Sequence, residues 1–233
     1  MRTPTKSLTA LLSAGIVVAA LAGCSQSGTG DANQSGAGSS APASSSATPS
    51  AAPTPALQTE IGGKTTQITL DAGFLKALTT LKLTPGTIGS ATLSKAGVLT
   101  FPITGGNVTY YDPATKVRPY VQGEIDHSGS GLSLSAGGKK VELKDFVIDP
   151  GNNSHVSGDV YLNGKSVVKG ANLFRLDGST LNPVTKDGDA YVLEGTTVYV
   201  SEDAAALLNK TFGTDAVTGD LKVGIAKLTV TGK

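Results

Sequence analysis

The sequence predicts a mainly β protein, an antiparallel sandwich or barrel-like sheet carrying two short helices. Three observations lead there. Beyond residue 57 the chain breaks into short alternating apolar stretches, each bounded by Gly, Pro, Asn or Asp. Glycine is abundant, at 30 residues, whereas Trp is absent and aromatics make up 5%, a balance that suits a turn-rich sheet better than a helical bundle. Only two stretches carry a helical apolar period, and both are brief.

The first 57 of the 233 residues stand outside this pattern. Arg2 and Lys6 precede the apolar run Leu8–Leu21, which has the length of a signal-peptide core and is short for a membrane span. The run ends in Leu21-Ala22-Gly23-Cys24, and Cys24 is the sole cysteine. No disulfide can form within the chain, so the thiol needs another explanation. These residues resemble the lipobox of bacterial lipoproteins, in which small residues fit the peptidase cleft and the thiol takes the thioether-linked lipid. The resemblance implies residues 1–23 as a lipoprotein signal peptide, lipidation at Cys24, and anchoring on the extracellular face of the cytoplasmic membrane. Residues 24–57 are mostly Ser, Ala, Gly, Pro and Thr with one charge, Asp31, and no aromatic residue, and read as a disordered tether. As a flexible coil such a segment spans about 30 Å.

Residues 58–233 fit one β-rich domain. All but two of the 19 Lys/Arg and all but one of the 18 Asp/Glu lie there, so its charge is balanced. That excludes nucleic acid as a partner, because such binding needs an excess of cations to neutralise phosphates.

In chain order, Thr66–Leu70 alternates as a strand and leads to Asp71, an N-cap. Phe74, Leu75, Leu78 and Leu81 then give a short amphipathic helix over Asp71–Leu81, stopped by Pro85-Gly86. Strands are expected at Gly89–Ser94, Val98–Ile103 and Asn107–Tyr111. The stretch Tyr120–Leu162 reads as four strands, divided by turns at Ser128–Gly131, Ala136–Gly138 and Pro150–Asn153. Within it, Val141 and Leu143 are out of phase with Phe146 and Ile148. Either a bulge near Lys144-Asp145 restores both pairs to the core, or the strand is buried on both faces. Asn163-Gly164 is a two-residue hairpin signal. Further strands fall at Lys165–Val168, Asn172–Leu176, Ala190–Glu194 and Thr196–Val200, with Asp187-Gly188 and Gly195 as turns.

The end of the chain echoes the start. Leu70–Leu78 aligns with Val200–Leu208, and Ile88–Ser94 with Val223–Thr229, each copy reading strand, capped helix, strand. Ser201 is the second cap, and Glu202 and Asp203 suit the helix N-terminus. Such short Ala/Leu helices also match by chance.

Catalytic patterns are sparse. There is no phosphate-binding Gly loop, nucleophile elbow, H-E-x-x-H or paired-Cys spacing. Asp126, His127, Ser128 and Ser130 suggest a Ser–His–Asp set, but neighbouring strand residues face opposite ways, so Asp126 is badly placed to orient the ring. His127 and His155 with Asp126 or Asp149 match no metal pattern, and both histidines read as turn-exposed beside Gly and Ser. Asp187-Gly188-Asp189 is explained by a hairpin more simply than by calcium. The expectation is a non-catalytic binding or structural role, with an unidentified ligand or surface protein as partner.

One further resemblance concerns the domain. Gly97–Pro102, Tyr111-Asp112-Pro113, Val121–Leu132 and Val156–Val160 look like the HtaA-type domain of actinobacterial surface proteins, over about residues 70–200. The resemblance implies a β-rich fold and haem bound through a helix tyrosine supported by a histidine, whose place His127 takes. The matching helix segment, Phe74–Thr79, holds no tyrosine. His127, Tyr111 and Tyr120 are the candidate ligand-binding residues, with haem the candidate cofactor.

Overall fold

Alternating burial organises the domain. The computed structural model describes residues 52–233; Cys24, the apolar run before it and the tether as far as residue 51 lie outside the described residues. Leu57, composition's last tether residue, has a buried side chain and begins the first strand.

In order, the chain forms β1 (Leu57–Leu70), α1 (Ala72–Thr80), β2 (Thr84–Gly89), β3 (Thr92–Leu93), β4 (Val98–Pro102), β5 (Gly105–Tyr110), β6 (Val121–Ala136), β7 (Lys139–Asp149), β8 (His155–Leu162), β9 (Lys165–Asp177), β10 (Thr185–Asp187), β11 (Ala190–Val200), α2 (Glu202–Phe212) and β12 (Lys222–Gly232). A single 3₁₀ turn, Gly178–Thr180, follows β9. The predicted mainly β, antiparallel class with two short helices is the observed one.

The ladders run in a closed circuit. β1 pairs β5, then β6, β7, β8, β9, β11 and β12 follow in turn, and β12 pairs back onto β1, every pairing antiparallel. Closure gives each of these strands a neighbour on both sides for at least part of its length, which hides polar backbone edges. β2, β3, β4 and β10 are side branches.

Long strands are bent by glycine rather than cut by it. β1 pairs β5 through Leu57–Glu60 and β4 through Thr65–Thr69; between these halves lie an irregularity at Ile61/Gly63 and the positive φ angles of Gly63 and Lys64. This bend conceals the alternation of the first half, so only Thr66–Leu70 was legible as strand. Ser128–Gly131 does not end a strand either. β6 continues through it, with Ser128, Gly129 and Ser130 bulged opposite the single residue Asp145. Gly195 is likewise a bulge within β11 and Gly170 a bend within β9. Tyr120–Leu162 therefore holds three strands instead of four.

The expected bulge near Lys144-Asp145 is present, and Val141, Leu143, Phe146 and Ile148 are all buried. Asn163-Gly164 makes a tight turn with both φ angles positive, as a two-residue hairpin requires. The expected strand at Gly89–Ser94 is broken, because Ser90 turns the chain between β2 and β3.

Both helices carry the predicted caps. Asp71 Oδ1 accepts from the Gly73 amide at 2.8 Å, and Ser201 Oγ from the Ala204 amide at 3.0 Å. α2 buries Ala204, Ala205 and Leu208, whereas α1 fully buries only Leu78. The two strand–helix–strand copies part company afterwards: β12 returns beside β11, but β2 leaves β1 and pairs β6.

Candidate functional site

The inward side chains do not fill the ring. They leave a cavity of about 450 Å³, walled by Leu99, Phe101, Ile125, Phe146, Val198 and Leu228 among others. This is within the size range of small-molecule sites, and its walls are apolar in the same way. Arg118, Tyr120, Arg175 and Gly178 border it together with the turn Pro150–Asn152.

His127 lies in this lining, and its surroundings are built by the β6 bulge. Strand alternation from Ile125 turns His127 inward, and the bulge then resets the phase so that Leu132 and Leu134 also face the core side. The bulge keeps its own polar groups satisfied: Ser128 N–H donates to Thr104 Oγ1 at 2.9 Å, Gly129 N–H to Asp145 Oδ1 at 2.7 Å, and Ser130 Oγ to the His127 carbonyl at 3.0 Å. Asp145 itself occupies a positive φ of 54° in the facing bulge.

The structure thus overturns the expectation of a turn-exposed His127. The residue is 2% exposed, with Nε2 2.8 Å from Oγ1 of Thr66 on β1, which is also buried. Phe101 meets the ring edge-on at 6.4 Å, Phe101 packs edge-on against Phe146, and Phe146 against Phe174. Nδ1 has no hydrogen-bond partner. Burial pushes the pKa of His127 down to about 4, against smaller opposing effects from the Phe146 and Ile125 backbone and Asp126, so the ring is neutral at pH 7.

Tyr120 also lines the cavity. Its hydroxyl donates to the Gly178 carbonyl, joining the start of β6 to the turn after β9, and burial pushes its pKa up. The Arg118 guanidinium lies 5.8 Å from the Tyr120 ring centre and donates to the Thr115, Val117 and Pro113 carbonyls. Tyr111, the third candidate, stands outside the lining; its amide donates to the Tyr120 carbonyl at 2.7 Å. The structure therefore gathers His127 and Tyr120 around one cavity and leaves Tyr111 out.

The other constellations stay apart. Ser130 Oγ is engaged by backbone, not by the His127 ring. His155 lies at the start of β8, its Nδ1 donating to the Asn153 carbonyl at 2.8 Å. Among the described residues no group of three or more His, Cys, Asp or Glu is placed to hold a metal ion. Asp187-Gly188-Asp189 forms the β10–β11 turn. Sequence reasoning missed Thr66, Phe101, Phe146, Arg118 and Arg175; the Thr66/Ile68 alternation put those two on one face but gave no sign that His127 would meet it.

The comparisons with known proteins bear on the fold. The chain is similar to the crystal structure of the C-terminal domain of HtaA from Corynebacterium glutamicum, with a TM-score of 0.51, 14% identity, and coverage of 74% of this chain and 98% of that one. The fold is HtaA-like. A domain-swapped dimer variant of the same domain also matches, with a TM-score of 0.42, 13% identity, and coverage of 69% and 92%. No protein-family profile matches the chain, and no curated protein does.

The resemblance drawn from the sequence implied haem held by a helix tyrosine and a histidine. The residues present do not make that pair. α1 contains no tyrosine, none of its side chains lines the cavity, and Nε2 of His127 is already engaged by Thr66.

Proposed function

We propose that this chain is a membrane-anchored extracytoplasmic lipoprotein whose domain binds, without catalysis, a small and largely apolar molecule. The observation that carries the reading is the cavity inside the closed ladder, with apolar walls and two arginines at its border. The lining carries Arg118 and Arg175 against one carboxylate, Asp177, and this excess of one positive charge favours a ligand with an anionic end, the apolar body reaching inward past Phe101 and Phe146.

The test is calorimetric titration of residues 52–233, which include all of β1, with dodecanoate. Expected is one-site binding with a negative heat-capacity change, weakened roughly tenfold or more by Val198→Phe, which fills the cavity. Binding untouched by Val198→Phe, or no heat at all, defeats the reading. A second reading, haem binding, keeps only His127 of the expected pair, a buried neutral imidazole whose Nδ1 lacks a partner. Hemin added to the same fragment decides it, since a Soret shift lost in His127→Ala supports haem and an unshifted spectrum removes it.

The anchor is tested separately. Mature protein should carry acyl chains on Cys24, and Cys24→Ser should accumulate as unprocessed precursor. Normal processing of that variant excludes lipoprotein maturation.

A further inference from the structure

The domain's charge is balanced, but at one end of the sheet cations collect around exposed apolar side chains. Val167 and Val168 on β9 are 52% and 40% exposed, the most exposed large apolar side chains among the described residues. They lie at a register shift, where Tyr161 faces Ser166 and Val160 faces Val168, leaving Val167 as the extra residue. Lys165 and Lys169 flank them. The neighbouring β6–β7 turn brings Lys140 alongside, because the two hairpin tips are latched: Lys140 N–H donates to Asn163 Oδ1 and Asn163 N–H to the Lys140 carbonyl, each at 2.8 Å. Lys139, on the same turn, is instead engaged by α2, where its ammonium donates to the Thr211 carbonyl. Two carboxylates answer these three cations, Glu142 at 2.9 Å from Lys140 and Asp159 at 3.2 Å from Lys169, which leaves Lys165 in excess.

The outer edge of β9 is open here, since β11 pairs only Phe174–Asp177. Strand addition by another chain is nevertheless disfavoured: a bulge and flanking lysines are the devices that blunt an edge. Two valines are also too small an area for a stable protein interface. Apolar tips set among lysines instead match an interface that is apolar within and negative at its surface. We infer that the paired β6–β7 and β8–β9 tips form a peripheral docking surface for an anionic lipid bilayer, with Val167 and Val168 entering the headgroup region and Lys140, Lys165 and Lys169 facing lipid phosphates.

The contact is tested without the acyl anchor, using the chain from Ser25 onward, which contains every described element. Vesicles of phosphatidylglycerol and phosphatidylcholine in equal parts should sediment the protein, and phosphatidylcholine vesicles should not. Lys165→Ser should weaken association about fivefold. Val167→Ser with Val168→Ser should weaken it again by several-fold, whereas Lys95→Ser on the β3–β4 turn should leave it unchanged. Absence of sedimentation with the anionic vesicles overturns the inference, as does equal loss from Lys95→Ser. Soluble polyphosphate competing as well as vesicles would make the site a phosphate site and not a bilayer contact. A dimer dissolved by the valine substitutions would assign the patch to a second copy.

Discussion

Lowering the pH from 7 to 4 is expected to remove about 3 kcal/mol of stability through His127 alone. The folded ring has its pKa pushed down from 6.5 to about 4, chiefly by burial. In the unfolded chain the same ring takes up a proton near pH 6.5, so below that value protons favour the unfolded state. The loss accumulates as pH falls from about 6.5 and stops near 4, where the folded protein also binds the proton. Urea unfolding of the wild type and His127→Asn at several pH values checks this. The variant starts less stable at pH 7, and the gap between the two should close as the pH approaches 4. Asp71, Glu142 and Asp177, whose carboxyls are held below the usual range by hydrogen bonds from Gly73, Lys140 and Ser179 respectively, weaken both proteins alike at acid pH. A gap that stays constant with pH means that the ring is not buried neutral.

Gly131→Ala is expected to be the most damaging single methyl addition at the β6 bulge. A Cβ there would lie 2.2 Å from the Leu143 carbonyl oxygen and 3.0 Å from Lys144 Cα, both of them backbone. No side-chain rotation relieves that contact, so β6 and β7 must separate where the bulge sets His127. A loss of about 3 kcal/mol or more follows from comparable overpacking. Gly137→Ala is the comparison. Its Cβ meets nothing within 4 Å, and the positive φ of 55° makes only the backbone preference unfavourable, by about 1 kcal/mol. Equal thermal stability of the two variants would show that β6 and β7 do not approach each other so closely.

What was legible in the sequence were features decided locally. The helix caps at Asp71 and Ser201, the Asn163-Gly164 turn and the phase slip between Leu143 and Phe146 each depend on residues within a few positions of one another. Glycine was misread for a physical reason. A residue with positive φ either reverses the chain or bends a strand that continues, and only the partner strand decides which. Asp145, on β7, receives the Gly129 amide and helps make Ser128–Gly131 a bulge; nothing in that tetrapeptide announces it. His127 was misjudged with it, since a histidine beside Gly and Ser looks solvated until β6 is seen to run on. Its contact with Thr66 crosses 61 residues of sequence and has no local signature.

The ring is sealed by its most distant pieces. β12, the last strand, lies along β1, the first, with Ile61 opposite Gly232 and Thr66 opposite Leu228. Thr66 and Leu228 also belong to the cavity lining. The hollow therefore has no complete wall until β12 is made and docked, and a chain lacking residues 222–233 would keep every other strand of the ring yet enclose no cavity.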